Sequence, residues 1–375
     1  MNSALAATQP IGPALPVGIE TPCLVIDLDV VERNAERMAA HTRARSVALR
    51  PHVKTHKSVR LAQLQLQHGA VGITVGTLGE AEVMADGGIG DIFVAYPVWA
   101  DGRKAHRLRG LHGRPGVRLS VGIDSLDGMR KLAEAVAGSP QPLRVLIEVD
   151  PGNRRTGVAP AHAGALAVEA DGAGLRVAGA FTHGGHAYAG PEAVARAAAD
   201  EVAALVAARD SLLRVGLEPG VLSAGSSPTA AAAAVAPVSE LRPGTYLVGD
   251  RQQAALGAST ADGVAIAVAA TVVSTAVPGQ VVIDAGAKSL TKDMPAYLAG
   301  HGFLPAYPAG VLERVSDYHG VVVFPAGAPR PVPGEVVAVI PNHACPVIDL
   351  FDSFTAVRGG RLVGRWPVDA RGRSG

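Results

Sequence analysis

The segment Arg50-Pro51-His52-Val53-Lys54-Thr55-His56-Lys57 places two lysines, two histidines and an arginine directly behind a short apolar run. A lysine at the C-terminal end of a strand, among other cations and low-dielectric walls, is the kind of amine that attacks a carbonyl and forms a Schiff base. The plain alternative is a solvated basic loop. A second stretch, Gly225-Ser226-Ser227-Pro228-Thr229, follows another apolar run. Its small, hydroxyl-bearing residues let backbone N–H groups approach a phosphate. A further Gly-containing turn, Arg242-Pro243-Gly244-Thr245-Tyr246, comes soon after. Both can also be ordinary turns.

Two loops between these add polar groups. Asp150-Pro151-Gly152-Asn153-Arg154-Arg155-Thr156-Gly157 offers cations, and Thr182-His183-Gly184-Gly185-His186-Ala187-Tyr188 offers two histidines and a tyrosine suited to acid–base or positioning roles. Either could be purely structural. Near the C-terminus, Pro341-Asn342-His343-Ala344-Cys345-Pro346 closes an apolar run. On an extended chain, residues two apart point to the same side, and an imidazole with a thiolate suits zinc. Two ligands are too few for a closed structural site, so water, substrate or another side chain must complete the shell. The alternative is a buried cysteine beside an incidental histidine.

The elements that must hold these groups read as an alternation. Short apolar runs at 23–26, 47–50, 72–75, 92–95, 118–121, 144–149, 177–181 and 221–223 alternate with helical patterns, with a further apolar piece at 238–242. Such a rhythm with short connections predicts a parallel sheet, and about eight units in ~230 residues fit a closed (β/α)8 TIM-like barrel better than an open sheet. In a barrel, active sites lie at the C-terminal ends of the strands, where four of these loops fall. Beyond 255 the pattern becomes Val/Ile-rich runs between Gly and Pro turns, which predicts a mostly antiparallel β domain. The expected organisation is a flexible arm at 1–20, a barrel at 21–255 and a β domain at 256–375.

Composition narrows the function classes. The chain has 375 residues, 48% hydrophobic and 18% charged, so it has material for a sizeable core and is neither disordered nor a solvated coiled coil. A net charge of +1 and 4% aromatics argue against nucleic acid and acidic membranes as partners. Two distant cysteines exclude a disulfide scaffold and fit a reducing compartment. No secretory pattern opens the chain and no apolar run spans a bilayer, which predicts a cytoplasmic protein.

The order of motifs resembles the D-threonine aldolase and D-serine dehydratase family of pyridoxal-phosphate enzymes, with an alanine racemase-like fold, from about Thr21 to about Asp352. The resemblance implies Lys54, not Lys57, as the Schiff-base lysine. It implies phosphate contacts from the loops holding Ser226, Ser227, Gly244 and Thr245, and places Arg155 and Tyr188 near the cofactor ring. It implies a metal pair at His343 and Cys345, taking zinc, with manganese as the alternative. Aldolase members carry aspartate as second ligand and dehydratases carry His-x-Cys, so the cysteine here tilts toward dehydration of a β-hydroxy-D-amino acid to a keto acid and ammonia. In that reaction Lys54 takes the Cα proton. In the aldolase alternative a base such as His183 deprotonates the β-hydroxyl, giving glycine and an aldehyde. A non-catalytic pyridoxal-phosphate-binding protein is the reading from another class, and the β domain and metal pair argue against it. The resemblance also implies a homodimer.

Overall fold

Short runs rich in Val, Ile and Ala alternate with helical segments, and in the computed structural model, which describes residues 12–375, they become two sheets. Residues 1–11 of the expected N-terminal arm lie outside the described residues. In chain order the strands are β1 (Cys23–Asp27), β2 (Ala48–Leu49), β3 (Ile73–Val75), β4 (Asp91–Pro97), β5 (Arg118–Ile123), β6 (Arg144–Glu148), β7 (Arg176–Phe181), β8 (Val221–Ala224) and β9 (Glu240–Leu241). There follow β10 (Ile266–Ser274), β11 (Gln280–Ile283), β12 (Gly302–Phe303), β13 (Val311–Val315), β14 (Gly320–Val323), β15 (Val336–Pro341), β16 (Ser353–Arg358) and β17 (Arg361–Pro367).

One compact unit comprises Met38–Lys54, Val59–Gly244 and Gly372–Gly375. It contains the parallel eight-stranded sheet, ordered β2-β9-β8-β7-β6-β5-β4-β3. The ring closes where His52 bridges Thr74 in parallel fashion and Val53 N–H donates to the Thr74 carbonyl at 2.9 Å. This is the expected barrel, with one change of membership. The run at 23–26, expected to open it, is not in this sheet, and the apolar piece at 238–242 supplies the eighth strand as β9.

Barrel side chains alternate inward and outward with period two, so residues 91 and 93, or 144 and 146, share a face. Phe93, Leu146 and Phe181 form one buried cluster, and the two phenylalanine rings meet edge to face at 5.0 Å. Gly122 is required there, because a Cβ would lie 2.6 Å from the Phe181 ring. This apolar layer separates charged groups at the strand starts from those at the strand ends.

The other unit comprises, of the described residues, 12–37, Thr55–Ser58 and Thr245–Arg371. Its sheet runs β13-β14-β11-β10-β1-β16-β17, with β15 pairing β10 and β12. Only β1 and β16 run parallel; the other pairs are antiparallel. Here β1 lies between β10 and β16, with Cys23 opposite Ala269 and Val25 opposite Thr355. The expected β domain therefore takes the first strand of the chain. No helix of the described residues is long and apolar enough to cross a membrane.

Candidate active site

Within the barrel unit, β2 runs straight into the lysine segment. His52 N–H donates to the Pro243 carbonyl at 3.0 Å, and Thr74 N–H to the Pro51 carbonyl at 2.8 Å, so the segment is held against the turn before Gly244 and against β3. Lys54 follows with an exposed side chain. Desolvation first, then the charge of Lys54 with those of Arg242 and Arg155, holds both His52 and His183 well below the ordinary histidine range. Both imidazoles are therefore neutral proton acceptors at neutral pH.

Arg242 is buried beneath them. It donates to the Ser223 hydroxyl and to the Thr182 carbonyl, each at 2.5 Å, and its guanidinium lies 5.2 Å from the Phe181 ring centroid. That fixes the backbone one residue before His183. Glu148, at the end of β6, is buried and accepts from the Thr156 hydroxyl at 2.7 Å. Burial raises its pKa, with Thr156 and Arg155 opposing. The loop bearing Arg155 is shaped by Asp150, whose Oδ1 accepts from the backbone N–H of Gly152 and of Arg154, both at 2.9 Å. Arg155 itself is exposed and Tyr188 half-buried. His186 is engaged elsewhere, with Nε2 3.1 Å from Asp200, which leaves His183 as the histidine of this loop close to Lys54 in charge.

The small-residue turn is buried at Ser226, Ser227 and Thr229, with Gly225 at φ +83°, where a Cβ would meet Leu241 at 2.9 Å. Ser226 N–H donates to Thr229 Oγ1 at 2.9 Å. Glu201, fully buried in the helix Val194–Arg214, accepts through Oε1 from Gly184 N–H at 2.7 Å and from Gly225 N–H at 3.2 Å. One carboxylate thus ties the histidine loop to the serine turn. Glu201, His52 and Arg242 were not singled out from the sequence. The last two lie inside motifs that were, whereas Glu201 sits in an alanine-rich helix without a local signal.

These groups fit pyridoxal phosphate on the chemistry of the donor set. A primary amine, two arginines and neutral bases share one mouth, and a buried small-residue turn of the same unit carries two serine hydroxyls.

In the other unit, the strand β15 turns into the helix Ala344–Asp349 at His343. The expectation of an extended His-x-Cys segment needs correction: His343 is extended, at φ −137° and ψ 111°, but it is the residue before the helix, and Cys345 lies in the first turn. The physical reason is Asp250. Its buried carboxylate accepts from Ala344 N–H at 2.8 Å, starting that helix, and from Gln253 N–H at 2.7 Å, capping its own. Burial pushes Asp250 up to about 6 against these bonds.

Asp293 Oδ2 lies 3.0 Å from His343 Nδ1, the arrangement by which a carboxylate orients a ligand imidazole. Desolvation lowers the His343 pKa, but the Cys345 sulfur, Asp250 and Asp293 outweigh it and lift it to about 9. The Cys345 sulfur also lies 3.2 Å from the Thr55 hydroxyl and 3.7 Å from that of Thr245. Among the described residues no group of three or more His, Cys, Asp or Glu is placed to hold a metal. The pair therefore fits a divalent ion only as an open site, with positions left to water or substrate. Lys57, buried in this unit, is committed to Asp349 at 2.8 Å.

Comparison with known proteins bears on both units. The profile of the alanine racemase N-terminal domain matches residues 26–252, and that of a putative serine dehydratase domain matches residues 265–357. D-threo-3-hydroxyaspartate dehydratase of Delftia sp. (strain HT23) is 34% identical over 93% of this chain and 97% of its own length. D-threonine aldolase of Arthrobacter sp is 33% identical over 99% of this chain and 98% of its own. A solved D-threo-3-hydroxyaspartate dehydratase with one histidine changed to alanine matches with a TM-score of 0.85 at 32% identity, covering 95% of this chain and 96% of that one. A second such structure, with a cysteine two positions further along changed to alanine, is in a metal-free form; it matches with a TM-score of 0.84 at 32% identity, covering 93% and 97%.

Proposed function

We propose, from the premise that this chain belongs to the D-threonine aldolase and D-serine dehydratase family of alanine racemase-like pyridoxal-phosphate enzymes, that it is a metal-assisted lyase removing water from a β-hydroxy-D-amino acid. The products are a keto acid and ammonia. The observation that carries this reading is the His-x-Cys pair, His343 and Cys345, with Asp293 on the imidazole. The same two-residue spacing of histidine and cysteine is replaced in the dehydratase structures, one of them metal-free.

Pyridoxal phosphate, when bound, supplies an electron sink for charge developing at Cα. Lys54 would hold it covalently, with Ser226, Ser227, Gly244 and Thr245 at its phosphate and Arg155 and Tyr188 near its ring. Zinc or manganese, when bound, supplies a Lewis acid to the departing oxygen, since hydroxide is a poor leaving group. His343 and Cys345 would be its protein ligands. The rest falls to the chain's own groups. Lys54 takes the proton from Cα. Arg242 fixes the backbone leading to His183, while Asp293 orients His343 and the Thr55 hydroxyl adjoins the Cys345 sulfur. Arg155 and Lys54 make the barrel mouth cationic, which suits a substrate carboxylate.

A second reading has its own observation. His183 is neutral and close to Lys54 in charge, so it is a competent base for a β-hydroxyl proton, which retro-aldol cleavage requires. Product analysis separates the two. With D-serine and D-threo-3-hydroxyaspartate, keto acid and ammonia are expected in equal amounts, only with metal, and the L-isomers are inert. Glycine and acetaldehyde as the dominant products from D-threonine would replace the elimination by the aldolase reading.

A further inference from the structure

The barrel has a second charged end. Asp91, Arg118, Arg144 and Arg176 open β4, β5, β6 and β7, on the side of the Phe93–Leu146–Phe181 layer away from Lys54. The register sets Asp91 beside Arg118 and Arg144 beside Arg176 on neighbouring strands. The acids at this end are already taken. Asp91 holds Arg118 and, at 2.8 Å, Arg50; Glu240 holds Arg50 at 2.7 Å and accepts from the Ser223 hydroxyl at 2.7 Å. Burial lowers the Arg144 pKa, with Arg118, Arg50 and Arg176 adding to the lowering and Asp91 opposing it; burial raises the Asp91 pKa, but its bonds to Arg118 and Arg50 outweigh that and hold it down. Among the described residues, Arg144 and Arg176 have no acidic partner within ion-pair distance.

Four arginines against two carboxylates leave two positive charges side by side, which repel. The ion pairs of Asp91 are made with Arg50 and Arg118; Arg144 feels Asp91 only through space, without an ion pair of its own. Yet Arg144 and Arg176 both line a cavity of about 540 Å³, together with Arg118, Arg114 and His112. That volume lies within the range of small-molecule sites, roughly 300–1,000 Å³.

We propose that this floor cavity is a binding site for a small phosphorylated molecule, with Arg144 and Arg176 as its anion clamp. Neighbouring strands are about 4.8 Å apart, so two arginines at paired positions lining one cavity are within reach of one compact anionic centre, which suits them better than two separated carboxylates. A phosphate monoester carries a charge of about −2 near neutrality, matching the two unpaired cations, and its oxygens accept the forked donors of arginine. The cavity exceeds a bare phosphate, leaving room for the group it esterifies. The site is independent of the proposed reaction.

The test is calorimetric titration of the cofactor-loaded protein, at constant ionic strength, with inorganic phosphate, glycerol phosphate and succinate. Both phosphates should bind saturably and succinate should not. Arg176→Gln, at a solvent-exposed strand start, and Arg144→Gln should each weaken phosphate binding about tenfold or more, one decade in Kd, with the cofactor absorption unchanged. If the protein takes up no cofactor, phosphate can also enter the Ser226–Ser227 turn. The arginine dependence, compared with Ser227→Ala, then reports on the floor alone and the two proposals fail separately. Absence of saturable heat to roughly 10 mM, binding unaltered in both arginine variants, or succinate binding as well as phosphate would overturn the assignment.

Discussion

Each unit anchors its reactive segment with a fully buried carboxylate, and the two do it differently. Asp250 stands just before the helix Arg251–Ala255 and divides its oxygens, Oδ1 to Gln253 N–H and Oδ2 to Ala344 N–H. Glu201 sits inside the helix Val194–Arg214 and gives one oxygen, Oε1, to two loops, at Gly184 and Gly225. Asp250 sets where a helix begins, so Cys345 inherits regular geometry from a strand–helix junction. Glu201 has no regular element to extend; it ties together two irregular loops that follow neighbouring strands, β7 and β8. A pair of metal ligands two residues apart needs only local regularity. A cofactor contacted from several loops needs those loops fixed against each other, and backbone N–H groups accepted by one buried carboxylate do that.

The largest effect expected from this contrast is at Lys54. Replacing it with alanine should cut turnover by about 10³-fold or more, because covalent attachment and the Cα base are lost together. Folding should be spared, since the side chain is exposed. Borohydride should trap cofactor on the peptide containing Lys54. Label on Lys57 would break the assignment, and with it the view that the Asp349 ion pair holds the Lys57 amine in a structural role.

Next is the metal pair. Chelation, or Cys345→Ala, should lower turnover at least ~100-fold while the cofactor spectrum stays, and Asp293→Asn should weaken metal binding by about 10–100-fold through His343. Cys23→Ala should leave metal binding intact, because Cys23 lies in β1 among Val25, Ala269 and Val357. Should cofactor leave with the metal, His343 and Cys345 would be supporting cofactor binding through neighbours such as Thr245 and would not be a metal site alone.

Much of this was legible in the sequence, for identifiable reasons. Barrel strands are short apolar runs with turn residues at both ends, and the chemistry-bearing loops follow them directly, as the observed C-terminal ends of β2, β6, β7, β8 and β9 bear out. The place of β1 was not legible. Its run, Cys-Leu-Val-Ile, is buried at every position, so it suits a barrel or a sandwich equally, and its partners Ala269 and Thr355 lie hundreds of residues away. The helical start at Ala344 was hidden likewise, since the carboxylate that caps it belongs to Asp250. Glu201 was least visible of all, one of three acids in an alanine-rich helix, with the N–H groups it accepts from on two distant loops.

Glu201 offers the smallest effect and the sharpest reading of the comparison. Glu201→Ala strips two backbone N–H groups of their acceptor, and each buried donor left unpaired costs about 1–3 kcal/mol. Melting should fall by several degrees, with cofactor affinity falling too because both loops loosen. Glu201→Gln keeps a carbonyl oxygen for the same two donors. Burial raises the Glu201 pKa, while Thr229 and the N–H groups of Gly184 and Gly225 oppose. A carboxyl whose folded pKa lies above its unfolded one destabilises the fold above the folded pKa, and that penalty is relieved as pH falls through it. The glutamine variant should therefore melt no lower than the parent at neutral pH, and its relative standing should decline on acidification as the parent sheds its penalty. Thermal melts of parent and both variants across that range decide the matter. A glutamine variant as damaged as the alanine one at every pH would mean that the loops depend on the negative charge itself, and the tie would then be electrostatic rather than a shared acceptor.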